Sequence, residues 1–215
     1  MSRADHLAAR LELVVVTDPA CGEGRELVEV VRAALRGGAP AIQLRAKTAP
    51  AREMVELARV LQEETRAAGA LLFVNDRLDV ALVAGADGVH VGDDDVPVPE
   101  VRRIAPPGFL VGRSVASPEQ ALQALRDGAD YVGVGPVYGT ASKDDAGAPV
   151  GLAHVAAVVE AASIPAVGIG GIDAGNAGDV VRAGAAGVAV IRAVMQADDP
   201  EGAVRTLLDR MRAGR

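Results

Sequence analysis

The sequence predicts an α/β protein that folds as a single-domain (β/α)8 barrel, the TIM-barrel architecture, over residues 1–215. Short β-branched runs alternate along the chain with longer, charged segments of helical pattern. Eight of these runs are apolar on both faces, which is typical of parallel strands covered by helices. Glycine-containing segments of similar composition recur before four of the strands, and each fits a helix C-cap followed by entry into a strand.

Strands are predicted at Leu13–Thr17, Ala41–Leu44, Leu71–Asn75, Gly88–Val91, Leu110–Ser114, Tyr131–Gly135, Ala166–Ile169 and Gly187–Ile191. Helical segments are predicted at Arg25–Leu35, Ala51–Ala68, Pro118–Leu125, Leu152–Ala161, Ala177–Arg182 and Pro200–Arg212. The recurring glycine segments are Gly37–Pro40, Ala84–Gly88, Asp127–Asp130 and Ala183–Gly187. A doubly wound open sheet is the alternative architecture. No Gly-x-Gly-x-x-Gly motif opens a helix after the first strand, and eight strands fit closure better.

Composition excludes several classes of protein. Apolar residues make up 50% of the chain, which suffices for a large core, and the net charge of −7 argues against a nucleic-acid partner. The single cysteine, Cys21, allows no disulfide framework and no cysteine-based metal site. The segment Met1–Arg10 lacks the apolar stretch of a signal peptide, and no apolar run reaches membrane-spanning length. We therefore expect a cytoplasmic protein with no membrane partner; composition leaves a homo-oligomer possible.

Positive charge is supplied almost entirely by arginine, because Lys47 and Lys143 are the only two lysines. Lysine is a compact, mobile point charge, and a site that needs such a charge against a phosphate cannot freely take arginine instead. Each lysine stands just after a strand-like run and close to short polar side chains. Chance survival on a solvated face would explain one such lysine, whereas two in equivalent positions favour phosphate binding.

Polar residues concentrate where the predicted strands end, which is where (β/α)8 barrels build their sites. They are Gln43, Arg45, Lys47, Asn75, Asp76, Asp95, Ser114, Thr140, Ser142, Lys143 and Arg192. Asp76 and Asp95 follow adjacent strands and suit Mg²⁺, which takes one or two carboxylates together with substrate phosphates. Alternatively, Asp76 caps the next helix and Asp93–Asp95 form a solvated turn. The nearby cations favour a magnesium–diphosphate site.

A second phosphate site is predicted from backbone groups. The loops after the seventh and eighth strands of such barrels often bind phosphate through their N–H groups, and glycine lets the ligand approach closely. Gly170 and Gly171 follow the seventh predicted strand, and Ile191 and Arg192 follow the eighth. His90 is assigned no role, because a packed, hydrogen-bonded histidine explains it as well as a base does.

Taken in order, these motifs resemble the thiamine phosphate synthase (thiamin-phosphate pyrophosphorylase) family over nearly the whole chain. The motifs are Gln43-Leu44-Arg45-x-Lys47, Val74-Asn75-Asp76-Arg77, Asp87-Gly88-Val89-His90-x-Gly92-x-x-Asp95, Gly112-x-Ser114, Ala129-Asp130-Tyr131-Val132-Gly133-x-Gly135-Pro136-Val137, Thr140-x-Ser142-Lys143, Gly168-Ile169-Gly170-Gly171-Ile172 and Gly187-Val188-Ala189-Val190-Ile191.

The resemblance implies a reaction between two small phosphorylated substrates. The family joins 4-amino-2-methyl-5-hydroxymethylpyrimidine diphosphate to 4-methyl-5-(2-hydroxyethyl)thiazole phosphate, giving thiamine phosphate and pyrophosphate. It also implies one Mg²⁺ per subunit, on Asp76 and Asp95, and catalytic roles for Lys143, Ser114 and Arg45. The implied pyrimidine diphosphate residues are Gln43, Arg45, Lys47, Asn75, Ser114 and Lys143. The implied thiazole phosphate residues are Thr140, Ser142, Gly171, Ile191 and Arg192.

The chain departs from the family pattern at four positions. Asp93 replaces a usual glutamine, Ser142 a threonine, and Arg192 a serine. Ala116 stands where related thiazole tautomerases use a histidine, which argues against the tautomerase as an alternative. Two further alternatives are a sugar-phosphate epimerase or isomerase, which would not need the paired aspartates and lysines, and a non-catalytic sensor of thiamine intermediates.

Overall fold

Eight parallel strands close into a barrel in a computed structural model that describes residues 3–19, 26–140 and 147–215. Each strand pairs with the next along the chain, and the first pairs with the last. The strands are β1 (Leu13–Val16), β2 (Ala41–Leu44), β3 (Leu71–Asn75), β4 (Gly88–Val91), β5 (Leu110–Val115), β6 (Tyr131–Val134), β7 (Ala166–Ile169) and β8 (Gly187–Val190). The predicted (β/α)8 barrel is confirmed, and the open sheet is not observed.

Helices cover the outside of the barrel. In the described part of the chain they are α1 (Arg3–Arg10), α2 (Leu27–Arg36), α3 (Ala51–Ala68), α4 (Leu78–Ala84), α5 (Val98–Ile104), α6 (Pro118–Asp127), α7 (Gly151–Ala161), α8 (Ala177–Arg182), α9 (Arg192–Met195) and α10 (Pro200–Ala213). Interactions at the two ends of α6 explain where this helix begins and ends. The Ser117 side chain accepts a hydrogen bond from the Gln120 N–H at the start of α6, and Gly128 ends the helix in a left-handed conformation.

The predicted strands match the observed ones to within one residue, because continuous apolar runs bounded by glycine and polar residues define them. The glycine segments also behave as predicted: Gly38, Gly85, Gly128 and Gly184 all have positive φ. Helices α1, α4, α5 and α9, each of eight residues or fewer, were not predicted, whereas the six-residue α8 was predicted with its observed bounds. The predicted helix start at Arg25 lies outside the described residues.

Two apolar layers hold the barrel together. Side chains that point outward from the strands pack against the helices and form the larger cluster. Alternate side chains point inward and form a second cluster, which includes Val14, Phe73, Tyr131 and Val167. Phe73 and Tyr131 meet edge to face inside the barrel, with ring centroids 5.3 Å apart. The inward layer therefore fills the lower barrel and leaves the carboxyl ends of the strands to polar groups.

The helix α1 closes the amino-terminal end of the barrel. Its Leu7, together with Leu11 just after it, belongs to the interior cluster, and Leu11 is completely buried. The Arg10 guanidinium donates a hydrogen bond at 3.2 Å to the carbonyl of Gly69, two residues before β3. Across the described ranges, no helix is both long enough and apolar enough to cross a bilayer.

Candidate active site

A cavity of about 690 Å³ opens at the carboxyl ends of the strands. Eight of the residues predicted from sequence line it: Gln43, Arg45, Asn75, Ser114, Thr140, Gly171, Ile191 and Arg192. A smaller cavity of about 260 Å³ is lined by Lys47, Asn75 and Asp76 among others. Because Asn75 lines both, the two cavities adjoin at the end of β3.

Three predicted residues are not placed in either cavity. Asp95 lines neither of the two. Ser142 and Lys143 lie outside the described residues, so the structure gives no position for the second lysine. The residues brought together are therefore those of strands β2, β3, β5, β7 and β8, with Thr140 from the segment after β6.

Thr17 fixes the end of β2 from the end of β1. Its buried hydroxyl accepts a hydrogen bond from the Arg45 N–H at 2.9 Å and lies 3.2 Å from the Arg45 carbonyl, to which it donates. The Thr17 N–H also donates to the Gln43 carbonyl at 2.9 Å. These contacts hold the backbone from which the Gln43 and Arg45 side chains extend into the cavity.

The loop after β7 needs glycine at two positions. Gly170 and Gly171 have φ of 101° and 64°, a region that side chains rarely adopt. A Cβ on Gly171 would stand 2.5 Å from the Gly139 carbonyl oxygen. The Asn176 side chain donates to the Gly171 carbonyl at 2.9 Å and so braces the loop from behind. This backbone can therefore approach a ligand closely.

The loop after β8 leads directly into the four-residue helix α9. Ile191 is its N-cap, and its carbonyl accepts hydrogen bonds from the N–H groups of Val194 and Met195. The first N–H groups of a helix have no partner within the helix. In barrels of this type, a short helix after the eighth strand and the loop after the seventh commonly form a phosphate site. The exposed Arg192 side chain adds a positive charge at the same rim.

Asp76 has an unusual backbone for a residue other than glycine, with φ of 64°. Aspartate tolerates this left-handed region better than most residues, and strained positions cluster at functional sites. Arg77, rather than Asp76, occupies the N-cap position of α4, so the helix-cap alternative from sequence does not describe Asp76.

Asp95 closes the turn that follows β4. Its Oδ2 accepts a hydrogen bond of 2.6 Å from the Gly92 N–H, and a Cβ on Gly92 would lie 3.3 Å from the same oxygen. The Asp93–Asp95 turn, which the sequence offered as an alternative to a metal site, therefore forms, and it orients the Asp95 carboxylate. Asp93, in the same turn, pairs with the Arg113 guanidinium.

Asp76 and Asp95 carry carboxylate groups, which are the kind of ligand that Mg²⁺ prefers. Among the described residues, no three or more His, Cys, Asp or Glu side chains come together as a metal cage. Mg²⁺ does not need such a cage, since it binds through one or two carboxylates, substrate phosphates and water. Asp76 and Asp95 supply hard oxygen donors at the ends of the adjacent strands β3 and β4.

A chain of hydrogen bonds crosses the floor of the cavity, and sequence reasoning missed it. His90 Nε2 lies 3.0 Å from Ser114 Oγ, and His90 Nδ1 lies 3.0 Å from the Tyr131 hydroxyl. The Gln43 side chain lines the same part of the cavity as Tyr131. The signal in the sequence was the period-two alternation, which places all four residues on inward positions of β2, β4, β5 and β6.

Two glycines make room for the His90 ring. A Cβ on Gly112 would stand 2.5 Å from His90 Nδ1 and 2.2 Å from the Tyr131 ring. A Cβ on Gly133 would stand 3.0 Å from His90 Cε1. Gly112 pairs directly with His90 in the sheet, so the neighbouring strand carries no side chain that could displace the ring.

Tyr131 is a neutral phenol in this setting. Burial raises the pKa of Tyr131 far above its usual value, because a phenolate would be desolvated in the barrel interior. The Gln43 side chain lowers the pKa of Tyr131 and opposes this effect only in part, and the charge of Asp130 adds to the rise. The Tyr131 hydroxyl can therefore donate one hydrogen bond and accept another throughout the physiological range.

The fold and the cavity define a class of (β/α)8-barrel enzyme that binds phosphorylated small molecules at the carboxyl ends of its strands. The chain belongs to the thiamine monophosphate synthase family, whose family model matches residues 13–194. It is 57% identical over 195 residues to a thiamine-phosphate synthase of Roseiflexus castenholzii, covering 91% of this chain and 86% of the relative. A thiamine-phosphate synthase of Methanoculleus marisnigri is 52% identical over 204 residues, covering 95% and 97% of the two chains.

A solved structure shares both fold and sequence with the chain. The thiamine phosphate pyrophosphorylase of Pyrococcus furiosus superposes with a TM-score of 0.89 at 45% identity, covering 97% of this chain and 98% of that one. A 3-hexulose-6-phosphate synthase gives a TM-score of 0.67 at 20% identity, which reflects the barrel alone. The family resemblance inferred from the motifs is thus confirmed.

Proposed function

We propose that this chain condenses 4-amino-2-methyl-5-hydroxymethylpyrimidine diphosphate with 4-methyl-5-(2-hydroxyethyl)thiazole phosphate, forming thiamine phosphate and releasing pyrophosphate. The observation that supports this proposal most directly is that one cavity holds two different kinds of polar group. Side chains of Gln43, Arg45, Asn75 and Ser114 lie on one side, and the glycine loop at Gly171 with the start of α9 forms the other. Membership of the family supports the same reaction. We also propose that residues 1–215 form one catalytic domain that acts in the cytoplasm.

The pyrimidine diphosphate would occupy the side of β2, β3 and β5. Gln43 and Ser114 lie at the floor of the cavity and can hydrogen-bond the pyrimidine ring. Arg45, with its backbone fixed by Thr17, and the exposed Lys47 of the adjoining cavity would bind phosphate oxygens. Lys143 would complete this cationic set from the segment after β6.

The thiazole phosphate would occupy the opposite side. N–H groups of the Gly171 loop and of the first turn of α9 would hold its phosphate. Thr140 lines the same cavity between the two sides, and Ser142 is proposed to extend this contact. Arg192 would add a charge that the serine usual in the family lacks.

Asp76 and Asp95 would hold a Mg²⁺ ion, which when bound neutralises charge on the diphosphate. The other steps of the reaction would depend on side chains and backbone groups of this chain. Arg45, Lys47 and Lys143 stabilise the negative charge that develops as the C–O bond to the diphosphate breaks. The thiazole nitrogen, positioned by its phosphate, attacks the resulting pyrimidine-stabilised cation. This dissociative route requires no nucleophile from the protein.

The test is to mix the purified protein with both phosphorylated substrates and Mg²⁺ and to assay thiamine phosphate and pyrophosphate. We expect both products in equal amounts. Absence of both would overturn the proposal. Ala116 lines the cavity where a tautomerase would use histidine, so tautomerisation of the thiazole phosphate alone is not expected.

A further inference from the structure

We infer that Asn176 is a positioning residue for the thiazole phosphate, because its side-chain amide turns the Ile172 N–H toward the cavity. The inference rests on the proposed function, since it concerns how the same cavity holds that phosphate. The family motifs assign no role to Asn176, which does not line the cavity. The evidence is the set of hydrogen bonds that fix the peptide groups of the loop after β7.

Two successive carbonyl groups of this loop point away from the cavity. The Gly170 carbonyl accepts a hydrogen bond of 3.0 Å from the Tyr138 N–H. The Gly171 carbonyl accepts one of 2.9 Å from Asn176 Nδ2. Gly170 and Gly171 line the cavity, whereas neither Tyr138 nor Asn176 does. Both carbonyls are therefore held by partners that lie behind the loop as seen from the cavity.

The directions of the next two N–H groups follow from these carbonyls. In a planar trans peptide group the N–H points opposite to the C=O. The Gly171 N–H is therefore turned toward the cavity by the Gly170 carbonyl, and the Ile172 N–H by the Gly171 carbonyl. Within the described residues, neither N–H has an acceptor, so both are available to a ligand. Successive N–H groups of this kind suit the oxygens of a phosphate.

An amide meets the requirements at position 176, whereas a carboxylate does not. Asn176 Oδ1 accepts a hydrogen bond of 2.9 Å from the Asp173 N–H, while Nδ2 donates to the Gly171 carbonyl. One partner is a donor and the other an acceptor, so a single orientation of the amide satisfies both. A carboxylate could keep the contact with Asp173 but would set an oxygen against the Gly171 carbonyl oxygen. The peptide group between Gly171 and Ile172 would then lose its fixed direction.

The loop needs a partner of this kind because of its two glycines. Gly170 and Gly171 have no Cβ, which lets a phosphate approach but also leaves the backbone more conformations. A loop that becomes ordered only when the ligand binds loses conformational entropy at that step, and this loss weakens binding. Asn176 orders the Gly171 peptide group in advance. Its contribution should therefore appear in the affinity for thiazole phosphate.

The experiment measures binding of thiazole phosphate, and of the pyrimidine diphosphate with Mg²⁺, by calorimetry. We expect Asn176→Asp and Asn176→Ala to bind thiazole phosphate about 10-fold more weakly than wild type, and the pyrimidine diphosphate within about twofold. The alanine variant separates the lost hydrogen bond from the charge that aspartate adds. Asp179→Ala removes an ion pair with Arg182 on the following helix α8 and should change neither affinity.

A second measurement needs no variant to fold. In amide NMR spectra of wild type, titration with thiazole phosphate, and separately with inorganic phosphate, should move the Gly171 and Ile172 amide protons downfield, because each N–H donates to a phosphate oxygen. In Asn176→Asp, the Ile172 proton should lose most of this shift. The Gly171 proton should retain it, since the Tyr138 N–H fixes the peptide group before Gly171. A merely structural role for Asn176 would change both signals or neither.

The outcomes separate the two claims. Failure of wild type to form thiamine phosphate from both substrates would overturn the proposed function. An active wild type with the same affinity for thiazole phosphate as Asn176→Asp and Asn176→Ala would overturn only the inference. An active wild type whose Ile172 amide proton does not move with thiazole phosphate would also overturn the inference alone.

Discussion

The backbone N–H of Asp76 donates a hydrogen bond of 2.8 Å to the carbonyl oxygen of His90. This contact joins the end of β3 to β4 and ties the proposed magnesium ligand to a residue that lines the main cavity. Asp76 reaches this position with a left-handed backbone, at φ of 64°. The proposed metal ligand and the cavity lining are therefore linked directly through the backbones of two adjacent strands.

Asp76→Asn should raise the Mg²⁺ concentration needed for half-maximal turnover by about 10-fold or more, because an amide is a weaker ligand than a carboxylate. Asparagine also tolerates a left-handed backbone, so the fold should be retained. Calorimetric binding of the diphosphate substrate as a function of Mg²⁺ provides a second readout. The control is Asp94→Asn, an exposed aspartate beside the site. A Mg²⁺ response identical to wild type would remove Asp76 from the metal site.

Thr17→Val should reduce the free energy of unfolding by about 1–3 kcal/mol, since the change leaves buried backbone groups of Arg45 without a partner. The KM for the pyrimidine diphosphate should rise as Arg45 loses its fixed position. Urea denaturation and steady-state kinetics measure the two effects. Thr48→Val, at an exposed position, serves as the control. If Thr17→Val has the same stability and the same KM as wild type, the Thr17 hydroxyl is dispensable.

Gly171→Ala should raise the KM for thiazole phosphate by about 10-fold or more, because the loop must move to relieve the contact with the Gly139 carbonyl. Gly85→Ala is a matched control. Gly85 has nearly the same φ, 69°, but its Cβ would meet nothing within 4 Å. The control should lose about 1 kcal/mol of stability and keep its KM. Equal kinetic effects from both variants would mean that the Gly171 loop does not bind the phosphate.

Arg192→Ser introduces the residue usual in the family. If backbone N–H groups hold the thiazole phosphate and Arg192 adds charge, the variant should keep its kcat. Its KM for thiazole phosphate should rise by roughly 3- to 10-fold and become less sensitive to salt, because exposed charges are screened. Arg126→Ser removes the same charge from an exposed position on α6 and should change neither property. A large loss of kcat in Arg192→Ser would contradict this division of roles.

Stability should fall above pH 10 because of Tyr131. Its pKa is raised in the folded protein by burial, whereas in the unfolded chain it ionises near its ordinary value of 10.0. Above that pH the unfolded state holds fewer protons, so the free energy of unfolding decreases by up to about 1.4 kcal/mol per pH unit. Below pH 10 the stabilisation is fully present.

Urea denaturation between pH 8 and 12, with phenolate absorbance recorded in parallel, measures this contribution. Tyr131→Phe should remove the contribution of Tyr131 to the decrease of the unfolding free energy with pH. Tyr138→Phe should retain this contribution, although burial also raises the pKa of Tyr138. The chain has only two lysines, so few other groups titrate in this range. A slope unchanged in Tyr131→Phe would contradict the prediction.

The strand positions could be predicted because each strand is a short apolar run that is buried on both faces. Helix α9 could not be predicted, since its four residues are too few to show a periodic pattern. Arg45 was found because it directly follows β2, and Thr140 because it lies in the segment after β6. The His90–Tyr131 contact depends on the register of three neighbouring strands and on the absence of side chains at Gly112 and Gly133. A single sequence carries no direct record of that register.

The closure of the barrel by α1 determines how molecules travel through the site. In the described part of the chain, Leu7 and Leu11 fill one end of the barrel, and the cavity opens at the carboxyl ends of the strands on the opposite side. Gln43 lies deep, at 6% exposure, whereas Arg192 stands at the rim. We therefore expect a molecule seated against Gln43 to enter before, and leave after, a molecule at the rim. Depth in the barrel would then set the order of binding and release.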